Sequence, residues 1–278
     1  MNLLLTEELS YITLRISCTL NNGQSSVGTG FIVIFDVGNG LKCPLIITNK
    51  HVIQNAVSYE FHLTEADDAG NPKTGSMIHV SLPAQPNLWF LHPDNDVDLC
   101  AMAFAPVLGM VGSQNKKAFF KGVEKEQFAS PQLLSELGAV EDILMVGYPI
   151  GLWDSANNMP VFRQGITATH PNLNYHGKKE FLIDAACYPG SSGSPIFLYQ
   201  NNGYIDRSGT HHMATRRFAL LGILYAGPQF TAVGNIQIIN IPTATTHAPV
   251  TSIPMNLGIA IKAEKLSAFE NHFLSKKS

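Results

Sequence analysis

Short runs of β-branched and aromatic residues, broken at close intervals by Gly, Asn, Asp or Pro, set the hydrophobic pattern of this chain. Runs of this length, bounded by turn formers, read as strands rather than helices. They predict strands at residues 12–20, 30–35, 45–48, 57–63, 76–82, 89–91 and 99–104. A second set follows at 142–146, 165–169, 180–185, 194–199, 218–225, 235–241 and 257–262. The fold class is therefore all-β, and two groups of short strands predict two barrels or sandwiches rather than one sheet. Between the groups, residues 112–140 are polar and then briefly helical from Pro131 to Leu137, and they read as a connector. Helical spacing returns at the end, where Ala263, Leu266, Phe269 and Phe273 share one face that can dock on a barrel. The stretch 242–256 is rich in Thr and Pro and reads as a long loop before the last strand. The expected organisation is an N-terminal β-unit over 1–111, a connector over 112–140, a C-terminal β-unit over 141–262 and a helix over 263–278.

Composition sharpens this picture mainly by exclusion. A chain of 278 residues, 45% hydrophobic and 14% charged, has material for substantial cores and lacks the composition of a disordered one. With 18 basic against 21 acidic residues and no Lys/Arg run, nothing points to a nucleic-acid partner. No window of about 18 apolar residues occurs, so no membrane span is expected. The start, Met1-Asn2-Leu3-Leu4-Leu5-Thr6-Glu7-Glu8, has an acidic pair and no basic region, unlike a signal peptide. Cys18, Cys43, Cys100 and Cys187 are far apart with no CxxC pair, so free thiols are expected and neither a metal nor a cofactor is implied. Together these features make a reduced, cytoplasmic setting the expectation.

The chemistry concentrates in Gly190-Ser191-Ser192-Gly193-Ser194-Pro195. A serine between glycines in a tight turn can be a nucleophile, provided a base takes its proton and N–H groups stabilise the resulting oxyanion. The same composition is also that of an ordinary turn. His51 supplies a candidate base, because it follows the strand-like Leu45-Ile46-Ile47-Thr48-Asn49 and so sits at a strand end. Asp98, directly before an apolar strand, supplies a candidate orienting carboxylate, whereas Asp94 and Asp96 suit a turn. Asp96 stays open as an alternative, since residues two apart share a strand face. The order His51, Asp98, Ser192 puts two groups in the first strand set and the third in the second, as a cleft between two β-units needs.

At these residues the chain resembles the trypsin-like (chymotrypsin-fold) serine peptidases, especially the bacterial branch that includes the HtrA/Deg proteases. Gly28-Thr29-Gly30-Phe31-Ile32 resembles the family's opening strand, Thr48-Asn49-Lys50-His51-Val52 its histidine motif and Asp98-Leu99-Cys100-Ala101 its aspartate motif. Gly147-Tyr148-Pro149-Ile150-Gly151, the nucleophile segment, Leu221-Gly222-Ile223 and Gly258-Ile259-Ala260-Ile261 follow in the family's order. The resemblance implies two Greek-key β-barrels with a C-terminal helix and a serine endopeptidase with His51, Asp98 and Ser192 as its triad. It further implies an oxyanion hole from the N–H groups of Gly190 and Ser192, and substrate pairing along Tyr225, Ala226 and Gly227. Ala186 falls at the base of the pocket for the residue before the cut, so an uncharged, small or medium apolar residue is expected there. Two features depart from the family. Ser191 stands where digestive enzymes carry an acidic residue that pairs with a new N-terminus, and no PDZ-like segment follows Lys262.

Competing chemistries fit less well. An α/β-hydrolase elbow wants glycine two residues after the serine, where Ser194 stands, and the reverse triad order. Cys187 lacks a flanking glycine, and the adjacent His211 and His212 are poorly placed to bind one ion together. A protease fold kept as a silent binding module remains the alternative from another class. The expected partners are a protein or peptide substrate and a regulatory protein, with control also open to the loops at 171–179, 200–216 and 242–256. Neither nucleic acid nor membrane is expected as a partner.

Overall fold

The computed structural model describes residues 2–38, 40–233 and 250–275. Its N-terminal half carries β1 (Thr13–Leu20), β2 (Ser25–Asp36), β3 (Lys42–Thr48), β4 (Ala56–Ala66), β5 (Pro72–Pro83), β6 (Phe90–Leu91), β7 (Cys100–Ala103), β8 (Ala118–Phe119) and β9 (Val123–Glu124). They form one sheet in the order β5-β4-β1-β2-β3-β7-β6, with β8 added to β4 and β9 to β2. The C-terminal half carries β10 (Asp142–Gly147), β11 (Val161–Thr167), β12 (Glu180–Asp184), β13 (Pro195–Gln200), β14 (Gly203–Ile205), β15 (His211–Met213), β16 (Arg217–Ala226), β17 (Gln229–Val233), β18 (Val250–Pro254) and β19 (Leu257–Lys262). Six of these close into a barrel in the order β10-β11-β12-β19-β16-β13, while β14 pairs with β15 and β17 with β18. Five short helices decorate the sheets: α1 (Leu5–Ser10), α2 (Lys50–Ile53), α3 (Ala105–Ser113), α4 (Pro131–Glu136) and α5 (Ser267–Ser275). The all-β class and the C-terminal helix expected from the sequence are the ones observed.

Alternation explains why the strand runs stand out. Phe31 and Val33 of β2, with Leu45 and Ile47 of β3, enter a core shared with Leu144 and Val146 of β10 and Phe197 of β13. The intervening Ile32 and Ile46 point the other way, toward Ile16, Phe61 and Met102. On β10 the intervening Ile143 and Met145 face the barrel interior with Phe181, Ile183 and Ile196. Successive side chains of a strand point to opposite faces, so a strand buried on both must be apolar throughout. A one-residue slip would exchange one core for the other, which fixes the register. The shared core also receives Ala263, Leu266 and Phe269, with Phe273 packed against it, which docks the C-terminal helical segment as its spacing predicts.

Several elements depart from expectation. β11 begins at Val161 rather than residue 165, because its polarity is inverted: Phe162 and Ile166 are exposed while Arg163 and Gly165 lie half-buried. Part of the expected connector belongs to the N-terminal sheet through β8 and β9. The loop expected at 200–216 contains the polar β14–β15 hairpin. The predicted strand 235–241 lies outside the described residues, as do residues 242–249 of the expected loop. Residues 250–254 of that loop instead form β18, paired with β17.

Candidate active site

Residues 185–194 leave β12 and return into β13, and their path is set by two glycines. Gly190 and Gly193 adopt φ of 86° and 87°, the left-handed region that glycine enters without strain. At Gly193 a Cβ would stand 1.9 Å from Thr29 O, so no side chain fits there. The loop is clasped from the other sheet by Thr29 on β2. Its N–H donates to Ser192 O at 2.9 Å. Its Oγ1 donates to Gly190 O at 2.9 Å and accepts from Tyr148 N at 3.0 Å. Thr48 Oγ1 donates in turn to Thr29 O at 2.7 Å. On the barrel side Gly193 N donates to Leu224 O at 2.8 Å, and Leu224 N to Ser194 O at 3.0 Å.

Donor accounting inside the loop is uneven. Ser191 N, Gly193 N and Ser194 N all reach backbone carbonyls, of Tyr188, Leu224 and Ser191. Among the described residues the N–H groups of Gly190 and Ser192 reach no acceptor. Two adjacent-but-one amides left free in a tight turn are suited to an incoming anion. Ser191 is 1% exposed and Ser194 equally buried, with no partner for Ser194 Oγ, whereas Ser192 is only half-buried.

His51 sits not at a strand end but on the helical turn α2, directly after β3. Asp98 meets it twice: His51 N donates to Oδ1 at 3.2 Å, and Nδ1 lies 2.5 Å from Oδ2. With Nδ1–H on the carboxylate, the other ring nitrogen, Nε2, is the acceptor. Asn49 is fully buried and its Nδ2 donates to Asp98 O at 2.7 Å, which ties the aspartate segment to the turn that carries the histidine. Asp96 makes no such contact; its N–H joins Asp94 Oδ1, and Asp94 pairs with Lys265. His51 and Asp98 are thus brought together, while no hydrogen bond joins Ser192 Oγ to His51.

A cavity of about 190 Å³ opens beside Ser192, lined by Cys187, Tyr188, Pro189, Leu224, Tyr225, Ala226, Gly227, Pro228 and Leu257. Among the described residues no Asp, Glu, Lys or Arg lines it. Ala186, expected at its base, is not among the lining residues. Its carbonyl is instead engaged by Arg163 Nη1, and Cys187 takes the wall position. Burial pushes the Cys187 thiol up to about 11, so it is neutral near pH 7. Burial, with Glu180 and Asp98 nearby, also raises the Tyr225 phenol, which stays a neutral donor. None of the four cysteines is joined in a disulfide. Among the described residues no cluster of His, Cys, Asp and Glu could hold a metal, and His212 is occupied by Asp206 at 2.8 Å. Sequence reasoning missed Thr29, Asn49 and Cys187 as site residues, although Thr29 and Asn49 lie inside the quoted motifs.

The chain's residues 28–203 match the model of a trypsin-like peptidase domain. No curated protein matches the chain. Among solved structures it is similar to the HtrA-type protease AlgW with a tripeptide, at 15% identity and a TM-score of 0.47, covering 97% of this chain and 62% of that one. It is also similar to an inactive form of Rv3671c from M. tuberculosis H37Rv, at 14% identity and a TM-score of 0.45, covering 97% and 89%. A serine endoprotease from Yersinia pestis is similar at 15% identity and a TM-score of 0.47, covering 96% and 64%. The chain thus spans less than two thirds of the AlgW and Yersinia chains.

Proposed function

Because the chain belongs to the trypsin-like peptidase domain family, we propose that it is a serine endopeptidase with Ser192 as nucleophile, His51 as general base and Asp98 as the group that orients the base. Ser192 Oγ attacks the scissile carbonyl while His51 Nε2 takes its proton, and the N–H groups of Gly190 and Ser192 hold the oxyanion. Collapse of the tetrahedral adduct breaks the C–N bond, His51 returns the proton to the leaving amine, and water then hydrolyses the acyl-enzyme by the same steps. Asp98, accepting from Nδ1–H, keeps Nε2 free to act as the base and stabilises the imidazolium that forms. Tyr225, Ala226 and Gly227 border the cavity at the end of β16 and pair with the substrate backbone as an added strand. The uncharged cavity takes a small or medium apolar side chain.

The observation that carries this reading is the segment 190–194, where among the described residues the Gly190 and Ser192 amides have no acceptor while those of Ser191, Gly193 and Ser194 are paired. A fluorophosphonate probe tests it. Labelling of the wild type that disappears in both Ser192→Ala and His51→Ala supports the assignment; no labelling under any condition supports a silent binding module built on this fold or a tightly latent enzyme. A second reading, latency, is favoured by the missing Ser192–His51 hydrogen bond, though such bonds are often long before substrate arrives. In that reading a partner protein, the loop at 171–179 or the hairpin segment 200–216 completes the site. Immediate turnover of casein by the purified chain counts against it.

A further inference from the structure

Arg163 sits on β11, opposite Met145 of β10, at one of the half-buried positions that make the strand hard to read in sequence. Its guanidinium converges on the nucleophile loop from three directions. Nη1 donates to Ala186 O, the same nitrogen stands 3.5 Å from Ser191 Oγ, and the guanidinium carbon lies 5.0 Å from the centre of the Tyr188 ring. Among the described residues no carboxylate pairs with it. Burial lowers its pKa, yet a guanidinium remains charged in proteins. A half-buried cation without a counter-ion is costly, so the carbonyl and the aromatic face must compensate for the lost hydration.

What it touches decides what it does. Ser191 is buried and lies between the two residues whose N–H groups are free. Its own N–H is turned toward Tyr188 O at 3.0 Å, the carbonyl of the residue whose ring the guanidinium covers. Fixing Ala186 O, Tyr188 and Ser191 together fixes the directions of the peptide planes on either side of Ser191. Resting on the endopeptidase reading above, we infer that Arg163 is a positioning residue that holds residues 186–191 in the conformation where the Gly190 and Ser192 amides converge on one oxyanion.

The test compares wild type, Arg163→Met and Arg163→Lys as full chains, with Ser192→Ala as the blank. Four quantities are read: kcat and KM on a peptide with an apolar residue before the cut, the rate of fluorophosphonate labelling, and Tm. Arg163→Met keeps the length of the side chain and removes its charge. It is expected to lower kcat and the labelling rate about 10- to 100-fold, somewhat below the loss of a whole oxyanion donor, with KM within about threefold. Arg163→Lys keeps the charge without the planar fork and is expected to recover part of the loss. A labelling rate in Arg163→Met equal to wild type overturns the inference and leaves the endopeptidase reading intact. So does a change confined to KM. Should Arg163→Met fail to fold, Arg163→Lys decides alone: slower labelling at unchanged Tm supports the inference, and unchanged labelling overturns it. Wild type that is never labelled overturns both.

Discussion

The two sides of the cleft are built to different standards of closure. On the N-terminal side the histidine and aspartate are already joined, both through the ring and through the His51 backbone, and Asn49 locks their segments together. On the C-terminal side the serine hydroxyl is unbonded to its base and two amides are left open. The first arrangement depends on contacts within one sheet. The second depends on residues far away in sequence: Thr29 from the opposite sheet and Arg163 from β11. A site assembled this way holds its histidine and aspartate through contacts within one half and its serine loop through contacts from other elements, so substitutions outside the loop should act on the two sides unequally.

The strongest way to break the comparison is to remove either side's reacting group. Ser192→Ala and His51→Ala should each lower kcat by about 10⁶-fold, and the double variant should be little worse, because groups that act as a unit are not additive. Steady-state turnover of the same peptide checks this, and additive losses would separate the two sides. Next in size, Asp98→Asn should lower kcat by about 10⁴-fold through the wrong tautomer, while Asp96→Asn stays within about twofold. The opposite ranking would move the orienting role to Asp96.

Thr29→Val sharpens the comparison by cutting the clasp between sheets while leaving the His51–Asp98 pair untouched. It removes the donor to Gly190 O and the acceptor for Tyr148 N. Leaving such buried partners unsatisfied costs about 1–3 kcal/mol. Urea unfolding should show that loss, and kcat should fall by about tenfold or more as the loop relaxes. Loss of stability with full kcat would mean the clasp holds the fold but not the loop.

How much of this was legible in the sequence follows from the range of each signal. His51, Asp98 and Ser192 could be put forward from the sequence because each sits in a short local motif, and the strands because burial on one or two faces writes an alternating or unbroken apolar run. Thr29 looked like one more strand residue, since its role depends on Gly190 and Tyr148, more than a hundred positions away. Arg163 made its strand start look like a loop. The family resemblance puts Ala186 at the pocket base, whereas Arg163 engages the Ala186 carbonyl and Cys187, not Ala186, lines the cavity. α1 and α2 were missed because six and four residues contain too few turns to show a period, and α3 because its sequence APVLGMVGS is nearly all apolar or small and shows no polar face.

The smallest expected effect concerns acid. His62 and His92 both have pKa values lowered below the usual histidine value, mainly by burial. His62 packs on Trp153, and His92 bonds to Asp94 N and Lys265 O near the C-terminal helix. A histidine whose folded pKa is depressed takes up its proton more readily when unfolded. Its contribution is therefore full above the unfolded value of about 6.5 and is lost as pH falls below it toward the folded value. Tm should decline modestly from pH 7.5 to 5.5, and His62→Gln should flatten that slope. A slope unchanged in His62→Gln would assign the acid sensitivity to other groups.

The central claim, that Ser192 is an activated nucleophile served by His51, is tested most directly by intact-protein mass spectrometry after reaction with a fluorophosphonate. One adduct is predicted on the wild type, mapping to the peptide with Ser192 and absent from His51→Ala. No adduct, or an adduct that persists in Ser192→Ala on Ser191 or Ser194, would contradict it.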